Sequence, residues 1–231
     1  MKNKSTFFNF QENLVSKSFP KIMKFLGWSG LGVLKFQINA NEKISSLELD
    51  VLFPEFKKKE KIFFITKGTA SFISKSHFLT LKKYDVFNYL STDKEFNICS
   101  NEGTIFYMVS CDKANLSNKD FKFFNFKNDI EIRDLWGGQC LSRVYESKNL
   151  TLVLFDLKPG FKFLDNGHSN EQMTWLIDGQ MQFHSNKIKK ILNNKNGISI
   201  GKNHAHGGVS DGAVGFDVFF PKRKEKKYKK W

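Results

Sequence analysis

The stretch GFKFLDNGHSNEQMTWLIDG, Gly160 to Gly179, decides how the chain is read. Its polar residues fall at a fixed spacing: Gly160, Asn166, His168, Gln172, Gly179. A second stretch answers it downstream, with Gly197, Asn203, His206 and Ser210. In extended chain, side chains alternate between faces, so positions 166 and 168 are expected to point the same way, and Gln172 returns to that face. His206, from a neighbouring strand, closes the cluster. Imidazole suits first-row transition metals, and an amide oxygen can complete a site with open positions for water or substrate. The spacing therefore predicts a metal centre of His168, Gln172 and His206, with the side chain of Asn166 on the same face. Glu171 is expected to face away from it.

The rest of the composition suits a β fold. Of the 231 residues, 40% are hydrophobic and 26 are Phe, enough for a packed core. Short apolar runs are punctuated by Gly and Asn, and helical periodicity is nearly absent, so an all-β chain is expected. Cys99, Cys111 and Cys140 show neither a metal spacing nor a disulfide framework. The polar N-terminus lacks an apolar signal core, and a cytoplasmic protein with no membrane association is expected. The net charge of +14 is concentrated in short lysine runs, including Lys222 to Lys230. No nucleic-acid-reading motif accompanies them, so no nucleic-acid partner is expected. A small anionic organic molecule fits the charge better.

Residues 1–30 read as an irregular lead-in, 31–111 as one domain, 112–128 as a linker, 129–221 as a second domain and 222–231 as a basic tail. Within the first domain, ISSLELDVLF reads as a strand. The two domains repeat: EKIFFITKG (Glu60 to Gly68) matches EQMTWLIDG (Glu171 to Gly179), and GTIFYMV (Gly103 to Val109) matches GAVGFDV (Gly212 to Val218). A repeat of this length implies a duplicated domain, two barrels in tandem. At the metal offsets the first half carries Lys57, Lys61 and Glu95. It is expected to hold no metal, and Lys57 or Lys61 is expected to pair with Glu95. In SRVYES, Arg143 and Tyr145 share one face, with Arg143 a candidate carboxylate clamp. Thr174 and Leu176 are expected to line the cavity and Trp175 to pack in the core. His204 is a candidate substrate-facing residue.

These motifs resemble the two metal motifs of the cupin superfamily, with Asn166 and Gln172 where His and Glu are usual. The whole chain resembles a bicupin, two tandem double-stranded β-helix (jelly-roll) barrels. Asn170 to Gln172, Gly179 and VFFPKR (Val218 to Arg223) are similar to the bicupin isomerases of bacilysin biosynthesis. The same half is similar to single-cupin enzymes of unsaturated uronates, whose DVFxP ending is matched by Asp217 to Pro221. The resemblance implies a divalent first-row metal (Fe, Ni, Co, Mn or Zn) held by His168, Gln172, His206 and position 166. It further implies isomerase-type or lyase-type chemistry on a small keto acid or sugar acid. Asn166 and the altered first half point to the alternative, a non-catalytic small-ligand module. A monomer or a homodimer is consistent with either.

Overall fold

A computed structural model describes residues 5–12, 14–16, 20–57, 59–90, 95–111 and 122–223. Most of the expected linker and nearly all of the basic tail lie outside the described residues. Among those described, the chain is nearly all β, and no helix is long and apolar enough to cross a membrane. In chain order the strands begin with β1 (Thr6–Asn9), β2 (Leu14–Ser16), β3 (Lys21–Leu26), β4 (Gly32–Ile38) and β5 (Lys43–Ser45). Helix α1 (Ser46–Leu52) follows, then β6 (Glu60–Lys67), β7 (Ala70–Ser74), β8 (Phe78–Leu81), β9 (Asp85–Leu90), β10 (Phe96–Ser100), β11 (Thr104–Ser110) and β12 (Lys122–Asn125). The remainder is β13 (Arg133–Leu135), β14 (Cys140–Glu146), β15 (Thr151–Leu157), β16 (Lys162–Asp165), β17 (Glu171–Ser185), β18 (Ile188–Leu192), β19 (Asn196–Ile200) and β20 (His206–Phe220).

The chain divides into two compact units. The first comprises residues 1–12, 27–29 and 130–231, the second 13–26 and 30–129. In the first unit the strand order is β1-β19-β17-β20-β15-β14-β13, with β16 on β20 and β18 on β17. In the second, one sheet runs β12-β9-β6-β11-β4-β3-β2 and another β5-β10-β7-β8. Among the described residues every ladder is antiparallel. The two long orders correspond strand for strand: β17 stands where β6 does, β20 where β11 does, β15 where β4 does.

Glycine marks the same corner in each unit. Gly68 and Gly179 have φ of 74° and 71°, and a Cβ there would lie 2.0 Å from the Gly103 carbonyl oxygen and 1.9 Å from that of Gly212. Only glycine tolerates both the left-handed backbone and that approach.

The lead-in reading of residues 1–30 is corrected, because β1, β2 and β3 lie there. β1 pairs with β19 in register Thr6 to Ser199, and β3 pairs with β4. Ile22 and Met23 are buried despite the flanking lysines, so a short apolar core in polar text sufficed for a strand. ISSLELDVLF is also corrected, to β5 followed by α1. Ser45 and Glu48 form a reciprocal capping box, which satisfies helix N-terminal amides and starts the helix. The alternating Leu47 and Val51 are exposed and only Leu49 is buried.

The core of the second unit is aromatic. Phe63 stacks on Phe87 at 4.7 Å and Phe36 on Phe106 at 4.5 Å. Lys61 is buried beside this core, and burial pushes its ammonium below the usual lysine range. Its ion-pair partner is Asp50 of α1, 3.8 Å away, not Glu95, which is exposed. Lys57 is exposed as well.

Candidate metal centre

The site lies in the first unit. β17 pairs with β20 along one antiparallel ladder, from Glu171 opposite Phe220 to Ser185 opposite His206, with register shifts between Leu176 and Asp178 and between Gly179 and Met181. His206 at the start of β20 and Asp217 near its end line one cavity. β16 pairs with the start of β20 and sets Asp165 directly opposite His206.

Asp165, His168 and His206 are all buried, with ligand atoms within 4.8 Å of one another. The two imidazole rings sit 5.4 Å apart, nearly perpendicular at 85°. His206 Nδ1 is 3.0 Å from the His204 carbonyl oxygen and His168 Nδ1 is 3.0 Å from that of Asn170. Each backbone oxygen accepts an N–H from the ring, which leaves the Nε2 lone pair for another partner. For His168 that lone pair faces Gln172 Oε1 at 2.8 Å. Gln172 Nε2 donates to Thr174 Oγ1 and Asp217 Oδ1, both at 2.9 Å, which fixes the amide with its oxygen toward His168. Burial, with the charges of Arg223 and His206, pushes His168 down to about 4, so the ring is neutral at pH 7 and carries one proton for two acceptors. Two lone pairs therefore converge with no proton between them, the arrangement that a bound cation satisfies. Two imidazoles, a carboxylate and an amide oxygen also match the donor set of divalent first-row metals. The residues fit such an ion.

The expected position of Asn166 is corrected. Asn166 is exposed, and the buried oxygen beside the two imidazoles belongs to its neighbour Asp165. β16 ends at Asp165, so alternation stops one residue early. Gly167 then turns with φ 104°, packed against the Asn203 backbone, before His168 re-enters. Arg143 and Tyr145 do not line the cavity; Cys140, Ser142 and Val144 of the same strand do. His204 does not line it either, and its ring is held by Ser5 Oγ at 3.2 Å and Asn186 Nδ2 at 2.8 Å. Thr174 lines the cavity and donates to Asp217 Oδ1 at 2.6 Å, directly across the ladder. Trp175 faces the other way and stacks on Phe216 at 6.0 Å, and Leu176 packs in the apolar cluster with Phe155 and Phe183. Glu171, also turned away from the site, accepts Trp28 N–H at 2.6 Å, Ser29 N–H at 2.8 Å and Ser199 O–H at 3.2 Å.

The cavity has a volume of about 140 Å³. Its wall is apolar and aromatic, with Trp136 packed on Phe161 at 5.2 Å over part of it. Polar groups gather at one end: Asp165, Gln172, Thr174, His206, Asp217 and Arg223, with Arg133 also on the lining. Burial raises the Asp217 carboxyl to about 6, against the pull of the Thr174 and Gln172 hydrogen bonds. Asp165, Asp217, Arg133 and Arg223 were not among the candidate residues read from sequence. Only VFFPKR and the DVFxP ending carried a signal, for Asp217 and Arg223.

No family model matches the sequence, and no curated protein matches it. Solved structures do. Protein Ylba from E. coli is 8% identical with a TM-score of 0.72, over 97% of this chain and 94% of that one. A cupin 2 conserved barrel domain protein from Leptotrichia buccalis is 12% identical with a TM-score of 0.62, over 93% of this chain and 96% of that one. Bacillus subtilis oxalate decarboxylase, described for its Mn(II) centres, is 9% identical with a TM-score of 0.71, over 97% and 79%. At such identities the likeness bears on architecture, and it shows that this chain has an all-β cupin fold.

Proposed function

We propose that the protein is a bicupin that binds a divalent first-row metal ion and catalyses isomerase-type or lyase-type chemistry on a small keto acid. The observation that carries this reading is the meeting of His168 Nε2 and Gln172 Oε1 beside Asp165 and His206 at the polar end of an apolar cavity. The matching strand orders and the paired glycine corners support two duplicated barrels. The second unit has a buried lysine at the Gln172 offset, which supports a single metal site. The Mn(II) centres of oxalate decarboxylase make manganese one candidate, without separating it from Fe, Ni, Co or Zn. The apolar wall favours a keto acid over a polyhydroxylated sugar acid, whose hydroxyls would be buried without partners.

The metal, when bound, supplies Lewis-acid polarisation of a substrate oxygen. The chain supplies the rest. Arg133 and Arg223 offer guanidinium groups to a carboxylate. Asp217, held by Thr174 and Gln172, has a proton affinity suited to taking and returning a proton near neutral pH. The aromatic wall excludes water.

The test is metal analysis of untagged protein, with His168→Ala and His206→Ala beside it, and an assay against keto acids and uronic acids. One first-row ion per chain in the wild type, lost in both variants, with turnover of a keto acid, supports the reading. Protein that carries no metal yet binds an acid leaves only the small-ligand module.

A further inference from the structure

Asp165 stands between a candidate metal group and an ion pair. It belongs to the metal-ligand group, yet its Oδ2 is already paired with Arg223 Nη2 at 3.4 Å, and its Oδ1 accepts the Gly167 N–H at 2.7 Å. Neither partner of the ion pair can retreat into solvent, because Asp165 and Arg223 are 8% and 6% exposed. The Arg223 backbone N–H is fixed to Thr151 Oγ1 at 2.9 Å, and its guanidinium lies 5.1 Å over the Phe219 ring. The side chain can therefore turn about a fixed base but cannot leave the cavity. A divalent ion in the triad would be repelled by the Arg223 guanidinium and would take an oxygen that Arg223 holds. Among the described residues, the only other carboxylate on the cavity lining, Asp217, is occupied by Thr174 and Gln172.

We propose that Arg223 is a two-position residue. It holds Asp165 in the metal-free protein and turns to the carboxylate of a bound acid once a divalent ion takes Asp165. Metal and acid then bind with positive linkage, each strengthening the other. This rests on the metal reading above and adds a binding order: the ion loads weakly alone and tightly with the acid. The acid must carry a carboxylate at one end and an apolar body at the other, since the lining beyond Arg223 is Phe155, Phe161, Phe163, Met181 and Phe183. A cavity of this volume compares with one of about 150 Å³ that accepts benzene, which makes benzoate a suitable probe.

Calorimetric titration of Ni²⁺ into the metal-free protein, with and without saturating benzoate, tests the linkage. The expected result is about tenfold tighter Ni²⁺ binding in benzoate, and the same factor for benzoate in saturating Ni²⁺, because linkage is reciprocal. Arg223→Gln is expected to bind Ni²⁺ with less than about a twofold effect of benzoate. Arg223→Lys keeps the charge without the fork and retains a smaller linkage than the wild type, which serves where Arg223→Gln does not fold. Equal Ni²⁺ affinity with and without benzoate in the wild type overturns the inference, as does an undiminished enhancement in both variants or failure of benzoate to bind the Ni²⁺-loaded protein. Those outcomes leave the metal reading standing. No Ni²⁺ binding under either condition overturns both.

Discussion

Asp217 and His168 flank the Gln172 amide on its two sides, and their proton affinities are displaced in opposite directions. The Asp217 carboxyl is raised from its ordinary 3.8 to about 6, so the folded state holds more protons than the unfolded state across that window. Its contribution to stability is present below the window and is lost as pH rises through it. His168 is lowered from 6.5 to about 4, so there the unfolded state holds more protons, and stability is gained as pH rises from about 4 to 6.5. In metal-free protein the two slopes oppose each other, and His206, lowered by burial as well, adds to the rising one. Asp217→Asn keeps an oxygen for Thr174 and Gln172 but removes the falling slope. Its unfolding free energy, from urea melts at stepped pH, is expected to climb more steeply between pH 4 and 6.5 than that of the wild type. At pH 7 it should exceed the wild type by about 1 kcal/mol, less than the full linkage because the carboxyl faces a cavity. Activity should fall by at least about a hundredfold if Asp217 moves the proton. A flat profile in the variant would remove Asp217 from this role. At this scale the sequence was only partly legible. The histidine and glutamine spacing is visible in the text, but which residue of a strand faces inward is not. Asn166 and Asp165 are both polar, and no apolar alternation tells them apart; a strand end and a turn decide it. Arg143 and Ser142 pose the same problem in β14, where Leu141 and Tyr145 on one face balance Cys140 and Val144 on the other.

At the scale of elements, alternation misled where a cap was present. Leu47, Leu49 and Val51 alternate as a strand would, yet Ser45 and Glu48 supply the two reciprocal hydrogen bonds that begin a helix. The capping box was readable in Ser45-x-x-Glu48, and local hydrogen bonding outweighed a period-two pattern whose apolar members do not all become buried. Ser45→Ala is expected to cost about 1 kcal/mol in a denaturant melt, with the loss reporting on α1. Gly179→Ala meets a harder limit. The new Cβ would lie 1.9 Å from the Gly212 carbonyl oxygen at a φ of 71°, so the β17 corner must move. A loss of more than about 2 kcal/mol is expected, well above the usual glycine-to-alanine effect. Gly68→Ala should behave alike in the second unit, where the same oxygen contact comes from Gly103. Unequal costs at Gly68 and Gly179 would argue against equivalent corners.

For the whole molecule, the repeat between Glu60–Gly68 and Glu171–Gly179 was visible in the sequence because the two strands keep the same turn glycine at the same offset. What was not visible is which distant segment completes each unit, since pairing between remote strands leaves little trace in either one. The first unit draws on residues 1–12 and 27–29, far from its main body. β1 covers β19, where a Cβ on Gly197 would lie 2.5 Å from the Phe8 ring, and Phe7 packs on Phe183 at 6.4 Å. Residues 27–29 supply Trp28 and Ser29 to Glu171, a carboxylate only 1% exposed. A fragment of residues 130–231 would keep every candidate metal ligand but lose those donors and the cover over β19. It would expose an unpaired strand edge and leave a buried charge short of partners, each a recognised cause of failed packing. The fragment is expected to show β-type circular dichroism without a cooperative thermal transition, to bind a hydrophobic dye and to take up no Ni²⁺. A synthetic peptide of residues 1–29 should restore part of the transition, because it carries both missing segments. If the fragment alone melts cooperatively at the temperature of the full chain, the N-terminal segments are accessories and the first unit is complete without them.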